Sequence, residues 1–140
     1  MKPLLTIVLL LFIPLSTFAN PMKQVAQVNP IPMFMPYLVK KAELLKLTAE
    51  QVAAFAKWRA DNMAPAVEAA NIITSGQRAI TLATLNGDSA AKVQQLLTDV
   101  ANARADLAAR TLRCHEYTQS VLNESQWQQL VDLYKADINN

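Results

Sequence analysis

Cys114 and His115 are the one cysteine and the one histidine of the chain, and they are adjacent. A thiol beside an imidazole suggests a nucleophile activated by a general base, as in covalent catalysis. Neighbouring side chains on a helix point about 100° apart, however, so this pair is poorly placed to share a proton. We therefore predict that the protein has no catalytic residues and is not an enzyme.

Metal binding is the second chemistry that these residue types allow. His115 has no ligand partner four residues away, because Thr111 and Gln119 occupy those positions. Soft sulfur ligands suit Cu(I), and the chain offers Met33, Met35, Met63 and Cys114. Methionine more often fills irregular gaps in an apolar core, and free cysteine is among the most buried residue types. The sequence therefore favours packing, and we predict neither a metal nor a cofactor.

Residues 1–19 have the pattern of a secretory signal peptide. Lys2 gives a positive start, 4–15 form an apolar run, and 17–19 have the small-x-small cleavage pattern. The apolar run is shorter than the roughly 20 residues that a membrane-spanning helix needs. We expect cleavage before Asn20, export to the periplasm, and no stable membrane anchor afterwards.

The composition of the remaining chain is typical of an all-α domain. Glycine occurs only twice, which leaves little for phosphate-binding loops and favours helices. A chain of about 120 residues is enough for one domain with a modest core. The formal net charge of +2 falls to +1 when Lys2 leaves with the signal peptide, so we do not expect binding to nucleic acid.

The first part of the predicted mature chain is rich in proline. Four prolines lie between residues 20 and 36, namely Pro21, Pro30, Pro32 and Pro36. Proline lacks a backbone donor and restricts the residue before it. We therefore predict a flexible, irregular arm over 20–36, followed by a helical domain over 37–136.

Apolar spacing in that domain predicts four helices, over 37–46, 49–85, 89–121 and 124–136. Pro65 interrupts the second of them, either as a kink or as the start of a new helix. Asn86-Gly87 is a typical helix stop and separates the two long helices.

The helix over 89–121 has a regular apolar seam. Positions seven residues apart are Val93, Val100, Leu107, Cys114 and Val121. Such spacing is typical of a helix that packs lengthwise against another. We predict an elongated helical hairpin of about four helices with two long arms, which forms a homodimer to cover the surface that so slender a monomer exposes.

A short phrase occurs twice, each time at a predicted helix start: Leu47-Thr48-Ala49-Glu50-Gln51 and Leu122-Asn123-Glu124-Ser125-Gln126. In each copy the second residue can accept a hydrogen bond from the first turn, and the glutamine can return one to the cap residue's own N–H. The leading leucine can act as a hydrophobic staple. The residues predicted to be structural helix caps are Leu47, Thr48, Gln51, Leu122, Asn123 and Gln126.

These two motifs and the order of the helices resemble the periplasmic Spy and CpxP family, whose signature is a pair of L-T-x-x-Q motifs in a curved all-α hairpin. The first copy fits fully, and the second has Asn123 in place of threonine. The resemblance covers 37–135. It implies an ATP-independent chaperone of envelope stress, or an adaptor for the periplasmic domain of a sensor kinase. Related members sense or buffer zinc, nickel or cobalt, so a heavy-metal sensor or buffer is the alternative function.

Aromatic and methionine side chains provide a predicted contact surface for unfolded or misfolded periplasmic proteins. Soft apolar groups adapt to many partners, and the residues proposed for these contacts are Phe34, Met35, Trp58 and Trp127. The alternative is that both tryptophans pack the ends of the hairpin.

Overall fold

The computed structural model describes residues 21–138, and its regular elements over that range are all helices. In chain order they are α1 (Pro21–Val28), α2 (Met35–Lys40), α3 (Ala49–Leu85), α4 (Ala90–Val121) and α5 (Glu124–Ile138). The all-α class is confirmed, with one helix more than the four predicted. The predicted signal peptide at 1–19 lies outside the described residues. None of the described helices has both the length and the apolar character required to cross a membrane.

The two long helices, α3 and α4, are present as predicted and pack together. α3 ends in a Schellman motif, in which Gly87 N–H donates to the Thr84 carbonyl (3.2 Å) and Asp88 N–H donates to the Ala83 carbonyl (2.9 Å). Gly87 has a φ of +71°, which glycine adopts without a Cβ clash. Ser89 then caps α4 with its side chain. The predicted end of one long helix at Asn86-Gly87 and the predicted start of the next near residue 89 are therefore both found.

Pro65 lies inside α3, and the helix continues through it. The new helix start that the sequence allowed at this position is thus wrong. A proline in a helix interior costs about 3 kcal/mol or more. Phe55 before it, and Ala69 and Ala70 after it, are buried, so packing on both sides of the proline holds the helix together.

The first hydrophobic core lies between α3 and α4, where α1 covers it. Its buried members are Val25, Ala69, Ala70, Ile73, Val100, Ala103 and Leu107. The α4 seam predicted from the heptad spacing is confirmed over this stretch. The helices approach each other closely here, because a Cβ added at Gly76 would overlap Cγ2 of Val100.

The second hydrophobic core lies where α2, α3 and α5 meet. Its buried members are Phe34, Met35, Leu38, Leu45, Phe55, Leu122 and Leu130. Trp58, Cys114 and Tyr117 of the long helices pack against it. This core surrounds the start of α3 and the end of α4, the region that contains both repeated motifs.

The flexible, irregular arm predicted over 20–36 differs from the structure. Pro21–Val28 form α1, and Val25 is only 1% exposed in the first core. Asn29 also attaches this segment to α4, because its Nδ2 donates to Oγ1 of buried Thr111 at 2.6 Å. Two of the prolines stand in the first turns of α1 and α2, where the missing N–H costs no helical hydrogen bond. The short helix predicted over 37–46 is also displaced and covers Met35–Lys40.

Candidate functional site

Both repeated motifs form reciprocal capping boxes. In the first, Gln51 N–H donates to Thr48 Oγ1 (3.3 Å) and Thr48 N–H donates to Gln51 Oε1 (3.0 Å). In the second, Gln126 N–H donates to Asn123 Oδ1 (2.9 Å) and Asn123 N–H donates to Gln126 Oε1 (3.1 Å). The predicted caps are therefore confirmed, and asparagine performs the role of threonine in the second copy.

The fold also joins the two motifs through their glutamines. Gln51 Nε2 donates to Gln126 Oε1 at 2.8 Å, and Gln126 Nε2 donates to Gln51 Oε1 at 3.1 Å. Gln51 Nε2 also donates to the Val121 carbonyl (2.9 Å), and Gln126 Nε2 reaches the carbonyls of Leu45 (3.3 Å) and Lys46 (3.2 Å). This amide pair ties the turn before α3 to the junction between α4 and α5.

Sequence reasoning missed this amide pair, although one signal could have indicated it. A capping box accepts glutamate or glutamine at its last position, and this chain has glutamine in both copies. Of these two side chains, only glutamine has both the oxygen that the cap requires and N–H groups that can donate to the second motif. Two glutamates would instead place like charges together.

The leucines of both motifs belong to the second core. Leu122 is buried, and Leu47 is partly buried and packs against the same cluster. Lys46, just before the first motif, has a φ of +50°, a left-handed conformation that a side chain makes unfavourable. Its carbonyl is one of the acceptors for Gln126. The motif residues thus have an architectural role.

The predicted client-contact residues are less accessible than expected. Phe34 and Met35 are each 6% exposed, so the expectation that they form an open contact surface is wrong. Trp58 stacks on Tyr117 with ring centroids 4.3 Å apart, and Trp127 meets Phe34 edge to face at 5.2 Å. Both tryptophans therefore pack within the fold, because aromatic rings gain from such pairing as well as from burial.

A cleft of about 70 Å³ lies between α3, α4 and the segment that leads into α2. All four sulfur-containing side chains that the structure describes line this cleft: Met33, Met35, Met63 and Cys114. Arg59 and Arg110 line it as well, whereas no carboxylate of the described residues does. The sequence suggested these four residues as a set of soft ligands, and the fold brings all four to the lining of one cleft.

Cys114 is a free, partly buried cysteine. Burial raises the pKa of its thiol above the usual value, and hydrogen bonds with the side chains of Thr118 and Trp58 partly oppose this increase. The thiol is therefore protonated at neutral pH. An indole N–H can only donate, so Trp58 is suited to stabilise negative charge on the sulfur if the proton is lost.

His115 is held by contacts that do not involve Cys114. Its Nε2 lies 2.6 Å from the Pro32 carbonyl oxygen, and its ring stacks on Phe34 with centroids 4.5 Å apart. A carbonyl can only accept, so Nε2 carries a proton and donates it. The hydrogen bonds of Cys114 and His115 thus go to different partners, and no nucleophile–base pair is formed between them.

The outer surface of the helices carries large aliphatic side chains. Eight of them are 43–78% exposed: Val39, Leu44, Val52, Ile72, Leu82, Leu85, Leu97 and Leu112. Val52 and Leu85 lie near the two ends of the helix predicted over 49–85, and both side chains are exposed. Six of these eight residues lie on the two long helices, α3 and α4.

No protein-family model, no curated protein and no solved structure matches this chain. The resemblance to the Spy and CpxP family therefore depends on the two motifs and the order of the helices alone.

Proposed function

We propose that this protein is a periplasmic, ATP-independent chaperone or adaptor, active as a homodimer, without enzymatic activity. It would bind unfolded or misfolded periplasmic proteins or the periplasmic domain of a stress-sensing kinase. The observation that carries the proposal is the set of eight exposed aliphatic side chains. Exposed apolar groups on a rigid scaffold bind a partner without first having to be ordered.

The charge of the surface supports contacts that are apolar rather than electrostatic. The whole chain has a formal net charge of +2. Three of its acidic residues are already paired at i,i+4 spacing: Asp61 with Lys57, Asp88 with Lys92, and Asp106 with Arg110. These charges produce no strong electrostatic field, and salt screening weakens only interactions between charges. Binding to clients should therefore persist as the salt concentration rises.

Suppression of client aggregation by purified protein tests the proposal. The test variant replaces four exposed aliphatic residues with glutamine: Ile72, Leu85, Leu97 and Leu112. We expect the wild-type protein to keep a chemically reduced client in solution, and the variant to require several-fold more protein for the same effect. Light scattering at low and high salt provides the measurement.

A matched control replaces four exposed alanines of the same two helices with glutamine: Ala53, Ala56, Ala101 and Ala105. This control adds the same polar groups and removes little apolar surface, so it should remain active. Equal loss in both variants would contradict the role of the aliphatic surface. If the wild-type protein has no effect at several-fold excess yet binds a sensor domain, the adaptor function is supported instead.

A further inference from the structure

The convergence of sulfur on one cleft is a feature that helix packing alone does not require. Met33 precedes α2, Met35 begins it, Met63 lies on α3 and Cys114 on α4. These four are all the sulfur-containing residues whose side chains the structure describes, and each of them lines the same cleft. Three separate parts of the chain therefore bring sulfur-containing residues to the lining of one cleft.

We propose that this cleft binds one Cu(I) ion through the Cys114 thiolate and the thioethers of Met33, Met35 and Met63. Thiolate and thioether sulfur favour Cu(I) over harder divalent ions. Binding forms an S–Cu bond at Cys114 and releases the thiol proton to solvent. The copper enters and remains as Cu(I), so the step needs no oxidant or reductant.

The charge of the lining favours a monovalent ion. One thiolate and one Cu(I) ion are neutral together, and a neutral group can be held in an apolar cleft at low cost. Arg110 is already paired with Asp106, but a divalent ion such as Zn(II) would keep a net positive charge beside Arg59, and none of the described lining residues is a carboxylate that could compensate it. The described residues also contain no group of three His, Cys, Asp or Glu side chains that could hold a harder ion.

Trp58 would act as a positioning residue for the thiolate. Its indole lines the same cleft as Cys114, and an indole N–H can donate towards negative charge on the sulfur. Its ring is fixed by stacking on Tyr117. Groups that orient a metal ligand in this way typically change metal affinity by about 10- to 100-fold.

Titration of the reduced protein with Cu(I) under anaerobic conditions tests the site. A chromophoric Cu(I) chelator serves as the competing ligand, and near-ultraviolet absorption reports the formation of the copper–thiolate bond. We expect one Cu(I) per chain, displacement by Ag(I), and no stoichiometric binding of Zn(II). Cys114→Ser should lower the Cu(I) affinity at least about 100-fold, since it removes a direct ligand rather than a supporting one.

Two further variants separate a built site from a reactive thiol. In the first, Cys114→Ser is combined with Ser120→Cys, which moves the thiol to an exposed position on the same helix and should not restore binding. In the second, Met33, Met35 and Met63 are all replaced with leucine, which keeps similar volume but removes the thioethers. We expect this variant to bind Cu(I) at least about tenfold more weakly, with its helical circular dichroism unchanged.

Unchanged affinity in the three-leucine variant, or full recovery with the moved cysteine, would overturn the proposal and assign the methionines to packing alone. Failure of the wild-type protein to compete with the chelator would do the same. If a substitution disrupts folding, Met63→Leu alone provides the comparison, because this residue is partly buried on an otherwise intact helix. Chaperone activity measured on the metal-free protein is independent of each outcome.

Discussion

The amide groups of Gln51 and Gln126 each participate in two kinds of structure. Each oxygen accepts from the N–H of its own cap residue and from the other glutamine. The nitrogen of Gln126 also reaches two carbonyls of the turn before α3. Gln126 is only 8% exposed, and a buried polar group that loses its hydrogen-bond partners destabilises the fold. The second motif therefore stabilises the tertiary structure as well as starting a helix.

Replacement of Gln126 with glutamate tests this role. The carboxylate would lose the N–H groups that reach Leu45 and Lys46 and would place its charge beside those carbonyls. We expect the free energy of unfolding to fall by about 3 kcal/mol at pH 7. The loss should shrink in acid, where the carboxyl group is protonated and can donate again. Urea denaturation at both pH values provides the measurement.

The matched control for this prediction is Gln77→Glu, an identical change at an exposed position of α3. Surface substitutions of this kind usually alter stability by no more than about 0.5 kcal/mol. An equal effect of the two substitutions would mean that the paired amides contribute little.

Tyr37 provides a prediction about high pH. Burial, together with a hydrogen bond from its hydroxyl to Asp137 Oδ2 (2.7 Å), raises its pKa from 10.0 to about 12. The folded state thus favours the neutral form of Tyr37. The free energy of unfolding that this preference contributes is fully present below pH 10 and is lost as the pH rises towards 12. Ultraviolet titration should show a component with a pKa of about 12 that is absent in Tyr37→Phe. A difference titration between the two proteins with its midpoint near pH 10 would contradict this prediction.

At the scale of the helices, the contact between Gly76 and Val100 sets how closely α3 and α4 approach. Alanine in place of glycine favours a helix by about 1 kcal/mol, but its Cβ would overlap Cγ2 of Val100. Valine is stiff at χ1, and overpacking typically costs about 1–3 kcal/mol. We expect Gly76→Ala to destabilise the protein.

A double-mutant cycle identifies the cause of that effect. With Val100→Ala in the background the overlap disappears, so Gly76→Ala should become stabilising by about 0.5–1 kcal/mol. Urea denaturation of the four proteins measures the coupling. The same destabilisation in both backgrounds would show that the close approach of the two helices is not responsible.

The sequence predicted these long helices well because their signals are local. Gly87 and Ser89 end one helix and begin the next through bonds within a few residues, and the spacing of Val100 and Leu107 marks the packed face. The amide pair and the sulfur-lined cleft could not be predicted in the same way. They depend on contacts between residues far apart in the chain, and nothing in the sequence states which distant residues will meet.

At the scale of the whole molecule, the segment before α2 determines the shape of the candidate site. Met33 and Phe34 line the cleft, and His115 is bonded to Pro32. The predicted arm would have left these groups in solvent and the cleft open. The prolines misled the sequence prediction because proline disfavours a helix interior yet is tolerated in its first turn.

Val25 tests whether this segment is part of the folded domain. It is 1% exposed against the first core, whereas Gln27 on the same short helix is exposed. Val25→Ala removes two buried methyl groups, so the free energy of unfolding should fall by about 2 kcal/mol, while Gln27→Ala should change it by less than about 0.5 kcal/mol. Urea denaturation followed by circular dichroism measures both.

Because Asn29 and Pro32 link this helix to α4, Val25→Ala should also expose Cys114 to alkylating reagents sooner during unfolding. Equal stability of the two variants would support the flexible arm predicted over 20–36. The cleft would then lack the side that the segment before α2 forms.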